Sequence, residues 1–120
     1  MHRIISAAGA TLVATTLVGC AGTAAEPVTV TDHTIIVDVR TADEYAQGHL
    51  EGATLLDLSG GQLADAIPTL DPDAEYLVYC RSGNRSAQAV ELMHDAGLTD
   101  VTDLGSLSEA AEATQLPTTR

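Results

Sequence analysis

Glu75-Tyr76-Leu77-Val78-Tyr79-Cys80-Arg81-Ser82-Gly83-Asn84-Arg85-Ser86 reads as a buried strand that runs into a polar, Gly-containing loop and then opens a helix. Five consecutive strand-forming residues without polar alternation imply a strand covered on both faces, as parallel sheets require. Working outward, Ile35-Ile36-Val37 is a second apolar run, closing on Asp38-Val39-Arg40. Thr41 with Glu44 three residues on predicts the N-terminus of a short helix, and Gly48 a turn. Ala53 to Leu58 predicts a short strand, and Gln62 to Ile67 a short helix stopped by Pro68. Ser86 to Ala96 predicts the longest helix, with Ala89, Val90, Met93 and Ala96 on its inner stripe and Gly97 as its cap. Val101 to Leu104 reads as the last strand and Ser108 to Gln115 as a closing helix. Repeated strand-then-helix order predicts an α/β domain, a central parallel sheet with helices on both faces.

The strand delivers Cys80 to a place where backbone N–H groups and a helix N-terminus converge, a field that favours a thiolate. Arg81 and Arg85 stand within five residues of it, in a chain with only five Lys and Arg in total. Cations beside a thiol lower its pKa, and the thiolate is the nucleophilic form. The bland alternative is a small apolar Cys closing a buried strand beside two solvated Arg. Gly83 is expected at positive φ on either reading, whereas Ser82 and Asn84 fit a turn.

Residues 1–19 differ from the rest: Arg3 precedes an apolar or small run from Ile4 to Val18, short of the roughly 20 residues that span a bilayer. This predicts an export signal. Leu17-Val18-Gly19-Cys20 resembles the lipobox of bacterial lipoproteins, which implies lipidation of Cys20 and a domain held extracytoplasmically at the cell membrane. Residues 20–27 then read as a flexible tether and 28–120 as the folded domain. With Cys20 acylated, Cys80 is the one free thiol, and an unpaired Cys in an exported protein is either inert and buried or kept for reactivity.

Seventeen acidic residues against five basic ones give a net charge of −12, with no Lys at all. Nucleic acid is excluded as a partner, since the electrostatic term would be repulsive. His2, His33 and His94 are too scattered for a metal site. Nothing in the sequence asks for a cofactor or a second subunit, so a monomer is expected.

Asp38-Val39-Arg40, Glu44-Tyr45, Gly48-His49-Leu50-Glu51-Gly52-Ala53 and Tyr79 to Ser86, in that order, resemble the motif series of rhodanese-like domains, over most of Ile35 to Gly105. The resemblance implies a persulfide on Cys80, a loop of Arg81, Ser82, Gly83, Asn84, Arg85 and Ser86 that cradles the sulfane sulfur, and a small anionic donor such as thiosulfate drawn by the two Arg. It implies a thiol or cyanide as acceptor, and makes Asp38, Arg40, Glu44 and His49 bracing residues. Phosphatases and arsenate reductases of the same fold carry Cys-x5-Arg. Here the Arg falls one residue short of that spacing, at 85, and Ser follows at 86, which favours one sulfur atom over a tetrahedral oxyanion. A non-enzymatic persulfide carrier or redox sensor at the envelope shares the same loop and stays open as an alternative.

Overall fold

The computed structural model describes residues 26–120. Four parallel strands form the central sheet: β1 (Thr34–Asp38), β3 (Thr54–Leu55), β4 (Glu75–Cys80) and β5 (Val101–Ser106), in the order β3-β1-β4-β5. β1 and β4 are in register from Thr34↔Glu75 to Asp38↔Tyr79. Side chains of β4 alternate strictly. Tyr76, Val78 and Cys80 join a core with Leu63, Ala89 and Met93, while Leu77 and Tyr79 join a second core with Leu50, Ala110 and Ala113. The first face is covered by α2 (Gln62–Ala66) and α3 (Asn84–Asp95), the second by α1 (Ala42–Gln47) and α4 (Leu107–Thr114). The expected α/β layering is therefore present, with an aliphatic core in which only Tyr76 and Tyr79 are fully buried aromatics.

Local chemistry sets the ends of these elements. Thr41 and Glu44 make a reciprocal capping box on α1, and Ser106 and Glu109 make the same on α4. α3 ends in a Schellman motif: Gly97, at φ +95°, lets its own N–H reach the His94 carbonyl while the Leu98 N–H reaches Met93.

Several expectations are corrected. α2 stops at Ala66, one residue short of the expected end, and Pro68 sits in the first turn of a following 3₁₀ segment, Ile67–Thr69, where its missing N–H leaves no bond unmade. Only Thr54–Leu55 of the expected 53–58 strand is regular, although Leu56 and Leu58 still donate to Asp38 and Val39. α3 begins at Asn84, two residues early, and Ala96 is exposed. β5 is not the last strand. β6 (Thr118–Thr119) pairs antiparallel with β2 (His49–Leu50), so the segment after α4 straps the loop that follows α1. The signal, Cys20 and most of the tether lie outside the described residues. Val28 donates to the Ala113 carbonyl at 3.0 Å, close to where folding was expected to begin.

Candidate active site

Strand order reverses direction between β1 and β4, and the crevice beyond the carboxyl ends of those two strands is where open α/β sheets place their ligands. Both sequence motifs end there, Asp38-Val39-Arg40 from β1 and Cys80-Arg81 from β4.

The thiol itself is not at the surface. Cys80 is 0% exposed, lying beneath its own loop. Gly83, at φ +97°, turns the loop so that its N–H points at Cys80 Sγ from 2.9 Å. α3 has no side-chain cap on its first N–H groups, which leaves them free for the sulfur. The Ser86 hydroxyl lies 3.4 Å from Sγ, which donates to it as a thiol, and Ser86 Oγ donates in turn to the Gly83 carbonyl at 3.0 Å.

Burial pushes the Cys80 thiol up. The Ser86 hydroxyl and the backbone N–H groups of Ser86, Gly83 and Ser82 outweigh it, and the net pKa is lowered. Thus the buried Cys is a primed one, and the donors are neutral dipoles of the loop. The two guanidiniums singled out in the sequence are not the principal cause. Arg85 forks onto Glu44 through Nη1–Oε1 at 2.7 Å and Nη2–Oε2 at 3.0 Å. The Glu44 bond raises the Arg85 pKa, the charge on Cys80 adding a smaller upward push. Glu44 is held down to about 2, chiefly by Arg85. Arg81 is exposed and has no carboxylate partner among the described residues. The side chains of Ser82 and Asn84 are likewise at the surface.

Beside the loop lies a cavity of about 400 Å³ lined by Arg40, Glu44, Gln47, Gly48, Arg81, Leu107 and Thr118. Its Gln47, Leu107 and Thr118 walls come from residues that sequence reasoning passed over, because no local pattern marks them.

The upstream motif braces this crevice. Asp38 is buried and accepts the Arg40 backbone N–H at 2.9 Å, its Nε at 3.0 and 3.1 Å and its Nη2 at 2.7 Å. Arg40 Nη2 also donates to the Gly48 carbonyl at 2.7 Å. The Tyr79 hydroxyl donates to Asp38 Oδ2 at 2.8 Å and accepts the Leu50 N–H at 3.0 Å. His49 stacks on Tyr45 with ring centroids 3.6 Å apart, and its Nδ1 lies 2.9 Å from the Tyr45 carbonyl.

Residues 23–113 match the family described as Rhodanese-like domain. The chain belongs to the rhodanese-like family. It is 36% identical to thiosulfate sulfurtransferase PspE of Escherichia coli over 71% of this chain and 80% of that protein. It is 40% identical to thiosulfate sulfurtransferase GlpE of Pseudomonas entomophila over 56% of this chain and 60% of that protein. Among solved structures, the Rhodanese_3 like domain of the Anabaena sp. Alr3790 protein aligns at 29% identity with a TM-score of 0.63, covering 72% of this chain and 99% of that one. A rhodanese from Escherichia coli, solved with anions, aligns at 30% identity and 0.60, over 72% and 98% respectively.

Proposed function

We propose that the chain moves a sulfane sulfur from a small anionic donor such as thiosulfate to a thiol or cyanide, through a persulfide on Cys80. The broad assignment, a sulfurtransferase, rests on the rhodanese-like family and on relatives that bear that name. The observation that supports the finer reading is the ring of N–H donors closing on one sulfur position, with the Gly83 N–H at 2.9 Å.

In the first step the Cys80 thiolate attacks the outer sulfur of thiosulfate. The donor's S–S bond breaks, its electron pair departs on sulfite, and the new S–S bond leaves a persulfide carrying one negative charge. In the second step a thiolate or cyanide attacks the outer sulfur, and the electron pair of the Cys80 S–S bond returns to Sγ. The loop dipoles that lower the thiol pKa also face the persulfide anion, so they serve both halves of the cycle.

The test is intact mass after incubation of the full chain with thiosulfate, then with cyanide. One added sulfur that cyanide discharges is expected, and none in Cys80→Ser. Residual persulfide in that variant ends this reading. Complete burial of Cys80 favours, as a second reading, a carrier or redox sensor. It would gain the sulfur but turn over no faster than free thiol exchange.

The lipobox-like tetrad supports placing this chemistry at the outer face of a cell membrane, through an acyl anchor on Cys20. Cys20→Ala should release the chain from membranes of the expressing cell. Full retention through the N-terminal segment would overturn the anchor.

A further inference from the structure

The ring of N–H donors accounts for one sulfur atom, whereas the cavity beside the loop has room for much more. Cys80 is fully buried, with the Gly83 N–H 2.9 Å from Sγ. The cavity holds about 400 Å³, within the range of roughly 300–1,000 Å³ for pockets that take small organic molecules. Two of its walls join it to the loop. Arg81 follows Cys80 directly, and Glu44 is forked onto Arg85 at 2.7 and 3.0 Å. Cyanide, a diatomic acceptor, has no use for such a space. An organic thiol does, because its sulfur must reach the outer sulfur of the persulfide while the rest of the molecule lies beside the loop. Leu107 offers that remainder apolar surface, and Gln47 and Arg81 offer polar groups, the mixture that orients an organic ligand.

One wall comes from beyond the stretch that matches the family. Thr118 lies on β6, past residues 23–113. Backbone pairing holds it at the cavity: Leu50↔Thr118 and His49↔Thr119 are in antiparallel register, and the Glu51 N–H donates to the Pro117 carbonyl at 3.0 Å. Leu116, two residues earlier, packs against the second core. The Thr118 side chain is exposed and takes no part in either core, so its place is set by the strand and its bulk bears on the cavity alone.

We propose that Thr118 is a specificity-determining residue for the thiol acceptor, a wall that sets the size of organic thiol able to reach the Cys80 persulfide. This role rests on the sulfurtransferase reading and adds where its second substrate sits. The acceptor thiolate attacks the outer sulfur, the Cys80 S–S bond breaks with its electron pair returning to Sγ, and the acceptor leaves as its own persulfide. A second thiolate then converts that product to a disulfide and hydrosulfide.

The measurement is sulfite release from thiosulfate by the full chain, with glutathione, 2-mercaptoethanol or cyanide as acceptor. In a two-step covalent cycle, kcat/KM for each acceptor reports its own half of the reaction. Thr118→Phe adds bulk at an exposed position of a strand, where an aromatic residue is well accepted. Its kcat/KM for glutathione should fall about tenfold or more, the scale of a methylene-sized misfit in a pocket. The fall should be smaller for 2-mercaptoethanol, and cyanide and thiosulfate should stay within about twofold of wild type. Thr118→Leu, a smaller addition, should show the same order of acceptors with a smaller loss. Equal losses for all three acceptors in both variants would overturn the role and mark the strap as a staple of the fold, which a lowered urea midpoint would report. Unchanged glutathione transfer in Thr118→Phe would overturn it as well. Failure of the underlying reading looks different: thiosulfate then adds no sulfur to wild-type Cys80.

Discussion

Replacing Tyr79 with Phe isolates the one atom that ties the upstream motif to the strand carrying the thiol. The ring is buried in β4 and stays, as does its approach to Arg40, whose Cζ lies 5.6 Å from the ring centroid. The hydroxyl goes, and two bonds go with it. Burial pushes the phenol pKa up, so in the wild type the group remains a protonated donor to Asp38. The Leu50 N–H loses the acceptor it has in this fold, and Leu50 is fully buried. A stranded buried N–H costs about 1–3 kcal/mol. Loss of the bond to Asp38 adds to this, but modestly, because both carboxylate oxygens keep their bonds to Arg40.

A total of about 2–4 kcal/mol is expected, since the two losses share one atom and do not add in full. For a domain of this size that lowers Tm by about 8–32 °C, at ~4–8 °C per kcal/mol. Urea unfolding should show the same loss as a lower midpoint at unchanged m-value. Below the lowered Tm, the pH profile of Cys80 alkylation should match wild type, because Tyr79 and Cys80 project to opposite faces of the sheet. A Tm drop under about 3 °C would refute the claim that the hydroxyl is a structural keystone. A displaced alkylation profile would refute the separation of the two faces.

Two further outcomes follow from the loop. Ser86→Ala should raise the pH at which Cys80 is alkylated, because the hydroxyl is the foremost group lowering the thiol pKa; an unmoved rate-against-pH curve would assign the whole effect to backbone N–H groups. Glu44, held down to about 2 from a reference of 4.5, stabilises the fold fully above pH 4.5, and that contribution is lost as pH falls towards 2. The stability gap between wild type and Glu44→Gln in urea should therefore close across that window, and a gap constant down to pH 2.5 would sink the assignment.

What the sequence made legible was whatever is written in neighbouring residues. The apolar runs of β1 and β4, the Thr41–Glu44 box and the positive φ of Gly83 all follow from local chemistry. The early start of α3 was hidden because its N-cap is a glycine with no side chain to signal it, and the orphan N–H groups are satisfied by sulfur. β2 and β6 are two residues each, too short to carry a period, and exist only because one pairs with the other.

The ion pair of Arg85 with Glu44 and the bond from Tyr79 to Asp38 were invisible for another reason. Both link residues 41 apart. That offset is the register of β1 against β4, Asp38↔Tyr79, and it enters only once those strands are known to be neighbours. Reading Arg85 as a free cation was reasonable for the loop alone and fails because a strand pairing brings α1 alongside it.

The same register explains how one strand can serve stability and reactivity without conflict. At its carboxyl end β4 turns Tyr79 to the α1–α4 face and Cys80 to the α2–α3 face. The Tyr79 carbonyl accepts the Val39 N–H at 3.1 Å, so the backbone on both sides of the crevice is fixed by the ladder and by the Asp38–Arg40–Tyr79 cluster below it. No buried side-chain polar atom among the described residues is left without a partner, so the cluster is fully satisfied where it is buried, which makes it rigid. The thiol on the other face is lowered in pKa chiefly by one hydroxyl and by N–H dipoles, neutral groups of the loop. Charge is kept to the rim, in Arg81 and the Glu44–Arg85 pair. The groups that lower the thiol pKa and the charges at the rim are therefore different atoms, so the loop dipoles act on Cys80 independently of the ion pair beside them.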